Sequence, residues 1–352
     1  MKRILNLLML ASAVVFAACG GGSRKAAAAD NGNGGETPFP AAVKVIFDTD
    51  IGNDIDDVMA LQMLLNYQKT GRVELLGVTL CKANPATITF TDGYLRYNNK
   101  GNIPLGYVYN GVTEFDGTYL LPTLNAKVNG QPVLNPQRSI DSDLPEAWKL
   151  LRQLLAEQPD GSVILISVGP MTNIGHLMDS AVDDISPLTG VELVKQKVKA
   201  VAAMAGLYGN EFDFPEWNVE QDIPAAQSVF AKCPVPLTAS GWELGNKLLY
   251  PHQSILNDFG DPDKHPLTIA YQAYMEMPYD RQTWDLTSVL DIIEPDEWFG
   301  YSPAGTITID DEGHSHFRED AEGLHRYLTV TPQQVPLTLK KLVSQVTGKT
   351  AK

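Results

Sequence analysis

The sequence predicts an α/β fold, a mostly parallel, doubly wound sheet with a loop-rich cap, and three observations predict it. Strand-length apolar runs alternate with amphipathic helical patterns over most of the chain. The run SVILISVGP at 162–170 is continuously apolar, as in strands covered on both faces of a parallel sheet, and VKAVAAMAG at 198–206 reads as another buried strand. The stretch VKVIFDTDIGNDIDDVMALQMLL, at 43–65, reads as a buried strand, a turn and a helix, with Asp48, Asp50, Asp54, Asp56 and Asp57 crowded between strand and helix. The acids therefore collect at the carboxyl end of a strand, the edge at which open α/β sheets bind ligands.

The remaining elements follow in order. RVELLGVTLCKAN at 72–84 is a second strand, and Pro85 opens a helix through Tyr97, since proline suits the first helical position. IPLGYV at 103–108 is a short third strand. Residues 110–143, rich in Gly, Pro, Asn and Asp, read as a long loop. A helix over 144–157 carries Trp148, Leu151, Leu154 and Leu155 on one face. The strand at 162–170 leads into a helix beginning MTNIGHLMD, and the strand at 198–206 into a Gly- and Phe-rich loop at 207–214. EWNVEQDIPAAQSVFAK leads into a helix and VPLTAS is the next strand. Helices are predicted at 267–277 and 286–292, strands in GTITID and RYLTV within 304–330, and a closing helix at 335–347. No linker divides 41–352, which is read as one domain.

Composition narrows the function. The chain has 352 residues, 44% of them hydrophobic, as in globular proteins. A net charge of −15 opposes a nucleic-acid partner and a surface drawn to anionic lipid. Residues 1–19 form a targeting segment: Lys2 and Arg3, then an apolar stretch at 4–16 too short to span a bilayer comfortably, then VFAACGGG. This resembles a bacterial lipoprotein signal, which implies lipidation at Cys19 and an exported, membrane-anchored protein whose membrane contact is that anchor. Residues 20–40, rich in Gly, Ala and Asn, are a flexible tether. Cys81 and Cys233 fit no metal spacing and read as buried free thiols.

Five carboxylates this close repel one another unless a cation joins them, and an all-oxygen set suits Ca²⁺ or Mg²⁺. An EF-hand is excluded: counted from Asp48, its sixth and twelfth places hold Asn53 and Met59. A D-x-D-x-T phosphatase start fails at Gly52. An acidic helix cap explains one or two of the acids, not five.

DTDIGNDIDD resembles the hallmark of the inosine–uridine type nucleoside hydrolase family, D-x-D-x-G-x-D-D, with two extra residues before the final pair. LCKAN, SVGPMTNIG, GNEFDFPEWNVEQDIPAA and TWDLTSVL resemble four further family segments, in the same order. The resemblance implies a Rossmann-like core and one Ca²⁺ held by Asp50, Asp57, Asp285 and the carbonyl of Val168. It implies hydrolysis of the N-glycosidic bond of a ribonucleoside, releasing ribose and free base, with Asp50 taking a proton from metal-bound water. Asn84, Asn210, Glu216 and Asn218 would grip the ribose. Asp56, with Asp54 as alternative, would hold its 2′-hydroxyl, and Asp48 would order the turn behind them.

One place departs from the pattern. Many family members carry His before the late Asp, and here Trp284 stands there; an indole gives up no proton at neutral pH but stacks on a nucleobase. Another proton donor is then sought in 270–284, with Tyr274, Tyr279 and Arg281 as candidates. His314 and His316 read as a polar strand or turn, with no third ligand near. Two alternatives remain: a metal-dependent nucleoside- or ribose-binding lipoprotein without turnover, or a hydrolase of another riboside. Oligomeric state is left open, a homo-oligomer included.

Overall fold

The structure, a computed structural model, describes residues 41–209 and 211–349. The signal segment, Cys19, the tether and Asn210 lie outside the described residues.

In chain order the elements are β1 (Val43–Thr49), α1 (Asp56–Lys69), β2 (Val73–Lys82), α2 (Ala86–Tyr97), β3 (Leu105–Val112), α3 (Leu120–Asn125), β4 (Lys127–Val128) and β5 (Gln131–Pro132). Then come α4 (Ala147–Ala156), β6 (Val163–Ser167), α5 (Thr172–Asp179), α6 (Gly190–Lys197), β7 (Val198–Met204), α7 (Trp217–Gln221) and α8 (Ile223–Lys232). The last part holds β8 (Leu237–Ser240), α9 (Trp242–Gly245), β9 (Leu249–Tyr250), α10 (His252–Asn257), α11 (Pro266–Tyr274), β10 (Arg281–Gln282) and α12 (Trp284–Ile293). It closes with β11 (Gly300–Tyr301), β12 (Gly305–Ile309), β13 (Ser315–Glu319), β14 (His325–Thr329) and α13 (Val335–Thr347).

The main sheet runs β13-β12-β14-β8-β7-β6-β1-β2-β3. Every pairing from β14 through β8, β7, β6, β1 and β2 to β3 is parallel, while β12 is antiparallel to both β13 and β14. The chain fills one half outward from β1 through β2 to β3, and the other from β6 through β7 to β8. Winding therefore reverses between β1 and β6, and the crevice beyond their carboxyl ends is where such sheets take a ligand. The two-residue alternation of β1 shows the double winding directly. Phe47 packs in the core that holds Val58, Leu64, Leu286 and Leu342, and its neighbour Ile46 in the opposite core with Leu151, Leu165, Leu177 and Val229.

Elements the sequence reading did not name include α9, β9, α10 and β10, and three further differences have a local cause. The 110–143 stretch is not bare loop: it holds α3 and the β4–β5 hairpin, whose turn residues Asn129 and Gly130 take φ of 52° and 80°. That Asn-Gly pair has the left-handed backbone such a two-residue turn demands. Helix α4 starts at Ala147 rather than 144, because Pro145 keeps the residue before it out of helical conformation. Helix α6 was not anticipated, although Thr189 and Glu192 form a capping box at its start. Cys81 and Cys233 are free and buried, as expected.

Arg152 joins α4 to the loop ahead of α6. Its fully buried guanidinium donates to Asp183 at 2.8 and 2.9 Å, to Ser180 Oγ at 2.8 Å and to the Leu188 carbonyl at 2.9 Å. Arg152→Met strands those acceptors; with Asp183 still 29% exposed, the loss is set at about 2 kcal/mol. Urea unfolding of the variant should show this drop, and an unchanged midpoint would remove Arg152 as a structural tie.

Candidate active site

The acids cap the sheet's crevice. Beyond β1 the chain turns tightly, with the Asn53 amide on the Asp50 carbonyl at 3.1 Å, and enters α1 at Asp56. Gly52 sits at φ 118°, which a side-chain-bearing residue rarely adopts, and its N–H donates to Tyr119 Oη at 2.5 Å. Asp56 and Asp57 occupy the first turn of α1, where unpaired N–H groups favour anions. The Thr49 hydroxyl donates to Asp57, and the Asn53 amide to Asp50.

Distant segments complete the site. Asp285 is the second residue of α12; Thr283 holds the N-cap position, without a side-chain capping bond, so Asp285 is not the N-cap, and its N–H donates to Asp56 Oδ2 at 3.2 Å. Val168 follows β6, and its N–H donates to the Asp48 carbonyl at 2.9 Å. Glu216 caps α7, accepting from the N–H groups of Asn218 and Gly206 at 3.0 Å each. The Asn218 amide donates to the carbonyls of Met204 at 3.1 Å and Val168 at 3.4 Å.

One cleft, with about 430 Å³ of open space including its mouth, gathers most of the expected residues. Asp50, Asp57, Val168 and Asp285 line it, as do Asp54, Asp56, Glu216, Asn218 and Trp284. Asp48 lies outside its lining, buried and fixed by Thr79 Oγ1 at 2.6 Å and Asn173 Nδ2 at 2.7 Å. Asn84 is also outside: its amide oxygen caps Ala86 at 3.0 Å, and its nitrogen donates to Glu114 O at 3.0 Å and Asp116 at 2.8 Å. His314 and His316 pair with Asp310, His316 from the edge strand β13.

Burial dominates the electrostatics. It pushes the Asp48, Asp50 and Glu216 carboxyls up to about 7 and Asp56 to about 6. Asp57 and Asp285 are raised well above the carboxylate range, first by burial and then by neighbouring acids. Cations oppose this at two points, Lys82 at Asp50 and Arg281 at Asp56. The Arg281 guanidinium reaches Asp54 at 2.9 Å and Asp56 at 3.4 Å, between the rings of Tyr274 and Trp284 at 4.9 and 4.8 Å.

Among the described residues, no group of three His, Cys, Asp or Glu side chains is placed to hold a metal ion as it stands. Asp50 and Asp57 each turn one oxygen to a local donor instead. The chemistry of the donor set nevertheless fits a hard cation: buried carboxylates that raise one another, a carbonyl, and neither His nor Cys in the cleft. Uncompensated carboxylates repel, and drawing these onto one point requires the charge that such an ion would bring.

Sequence reasoning missed several residues here. Asn53, Met204, Trp217 and Trp242 also line the cleft. Trp242 follows β8 and Lys82 ends β2, so both stand at carboxyl strand ends, a signal that was available.

An acid-lined crevice at the switch point of a doubly wound sheet defines a small-molecule site built around carboxylates. The model of the family described as inosine-uridine preferring nucleoside hydrolase matches residues 45–314, and the chain belongs to that family and is an enzyme of that class. Its members are typically metal-dependent. No curated protein matches the chain. Among solved structures, a plant nucleoside hydrolase is similar at TM-score 0.65 and 18% identity, over 88% of this chain and 99% of that one. The purine-preferring ribonucleoside hydrolase from Gardnerella vaginalis is similar at 0.63 and 17%, over 87% and 98%. The type III effector XopQ, solved with adenosine diphosphate ribose, is similar at 0.62 and 15%, over 87% and 94%. At these identities the likeness establishes the fold.

Gly169 tests how tightly the site is built. A Cβ there would lie 2.6 Å from Cys81 Sγ and 2.7 Å from Asp50 Cβ. Gly169→Ala should displace Asp50 and lower kcat/KM about 100-fold while far-UV circular dichroism stays native. Wild-type turnover in this variant would show that Asp50 has slack.

Proposed function

We propose that the chain hydrolyses the N-glycosidic bond of ribonucleosides, with Ca²⁺ as cofactor and Asp50 as general base. The observation that carries this reading is the convergence of Asp50 and Asp57, Val168 and Asp285, from three separated segments, on one cleft at the sheet's switch point.

Asp50, Asp57, Asp285 and the Val168 carbonyl would hold the ion. When bound, Ca²⁺ would supply positive charge that orients the ribose hydroxyls and acidifies the attacking water. Asp50 takes the water's proton, and its buried setting raises its basicity toward neutrality. Positive charge that develops on the ribosyl ring lies among carboxylates and amide oxygens, which favour it over the ground state. Glu216 and Asn218 form the opposite wall, with Asn218 also bracing the Val168 carbonyl.

Asp56 and Asp54 divide their tasks. Asp56 is tied on one oxygen to Arg281 and on the other to the Asp285 N–H, so it braces Asp285. Asp54 is held as well, by Arg281 at 2.9 Å and by the Tyr274 hydroxyl at 2.5 Å, but with 43% of its side chain exposed it is the one of the two that a ribose hydroxyl can reach. Trp284 donates its N–H to the Trp242 carbonyl at 2.8 Å, leaving its ring for stacking. Tyr279 donates to Tyr271 O and Tyr274 to Asp54, both at 2.5 Å, so neither phenol points a proton at the leaving base. That observation motivates the second reading, hydrolysis of another riboside whose leaving group needs no protonation. The charged and apolar N-terminal segment ending at Cys19 supports an exported, lipid-anchored form of either.

Purified protein incubated with inosine, uridine and p-nitrophenyl riboside should release ribose with Ca²⁺ present and lose that activity under a chelator. Metal-dependent binding without ribose release would favour a binding protein without turnover. Asp50→Asn should lower kcat about 10²–10⁴-fold with the fold intact, and near-normal kcat would exclude Asp50 as the base.

A further inference from the structure

We propose that Lys82 is a positioning residue for Asp50, acting through the side chain of Asn53. The inference rests on the reading of Asp50 as general base.

Lys82 is the last residue of β2, the strand paired with β1, so it stands beside the acidic turn at the same sheet edge. Its side chain is fully buried, a costly place for an ammonium without partners. It has them in three directions. Nζ donates to Asn53 Oδ1 at 2.6 Å and to the Thr113 carbonyl at 2.9 Å, and it lies 3.7 Å from the centre of the Phe115 ring. An ammonium offers three donors, and a ring face is a good third acceptor for a cation.

Asn53 makes this a relay. Its oxygen accepts from Lys82 and its nitrogen donates to Asp50 Oδ2. An ammonium only donates and a carboxylate only accepts, so the amide has one orientation that satisfies both. That bond fixes one oxygen of Asp50 and leaves Oδ1 for the cleft. Asn53 directly follows Gly52 in the acidic turn, and its own N–H closes that turn on the Asp50 carbonyl at 3.1 Å, which brings the linking amide into place.

Lys82 also ties the turn to the loop after β3. Thr113, whose carbonyl it holds, has φ 59°, a strained value for a β-branched residue. Phe115, 51% exposed, meets the cleft residue Trp217 edge-on at 6.4 Å. One buried cation thus holds both the base's partner and a loop at the cleft mouth.

The test is a double-mutant cycle on the full chain with Asn53→Ala, Lys82→Met and the pair. Each single variant should lower kcat about 10–100-fold with KM within about threefold of wild type. The double variant should lose no more than the worse single one, because both cut one relay. Multiplied losses would overturn the proposal, as would near-wild-type turnover in Asn53→Ala, a substitution at a part-exposed turn that decides alone if Lys82→Met does not fold. A readout independent of turnover is the Asn53 side-chain amide resonance, identified by its loss in Asn53→Ala. It should shift in Lys82→Met, and an unmoved signal would overturn the relay. If wild-type protein cleaves no nucleoside, the riboside reading fails and this resonance still decides whether Lys82 holds Asn53.

Discussion

Burying like charges at one edge of a sheet is the constraint around which this molecule is arranged. Asp48, Asp50, Asp56, Asp57, Asp285 and Glu216 are each no more than 5% exposed and share one region. The protein answers the repulsion locally and incompletely. The first turn of α1 offers its N–H groups, Thr49, Thr79 and Asn173 donate from neighbouring strands and a helix, and Lys82 and Arg281 bring charge. Acids still outnumber these cations, and the excess sits on Asp50, Asp57 and Asp285, where an oxygen-seeking divalent ion would be most favoured.

The sheet supplies the convergence. Residues that leave β1 and β6 meet because winding reverses between those strands, and α12 enters beneath with Asp285 in its first turn. Gly169 permits the close approach, since any side chain there would strike Asp50. Asp56 then fastens α12 to α1 by accepting the Asp285 N–H, so the last segment of the site is fixed by an acid of the first.

Much of this was legible in the sequence, for identifiable reasons. Elements with strong periodicity or a proline at their start, such as β6, α2 and α13, stand where the pattern places them. Asp50, Asp57, Val168 and Asp285 were legible through motifs that fall at strand ends and helix starts. Asn84 shows the limit: its position matches a motif, but its amide is engaged by the 114–116 loop, a tertiary contact that spacing cannot express. Lys82 escaped although it stands at a strand's carboxyl end, and Arg281 was read as a proton donor rather than as the partner of Asp54 and Asp56, because only the fold shows which acids surround a buried cation. The Asn129–Gly130 turn and the Thr189–Glu192 box carried readable signals that the surrounding polar composition masked.

Trp284 explains itself within this electrostatic frame. At the place where many relatives would carry an imidazole, an indole face covers one side of Arg281 while Tyr274 covers the other, and a cation so held is kept at Asp54 and Asp56. An imidazole there would itself be a titrating group beside a buried guanidinium, and protonating it would place two positive charges side by side. Asp54 in the acidic turn is a partner for Arg281, and the two rings hold that cation in place. Asp54, Arg281 and Trp284 therefore act together: the acid pairs with the guanidinium and the indole covers it.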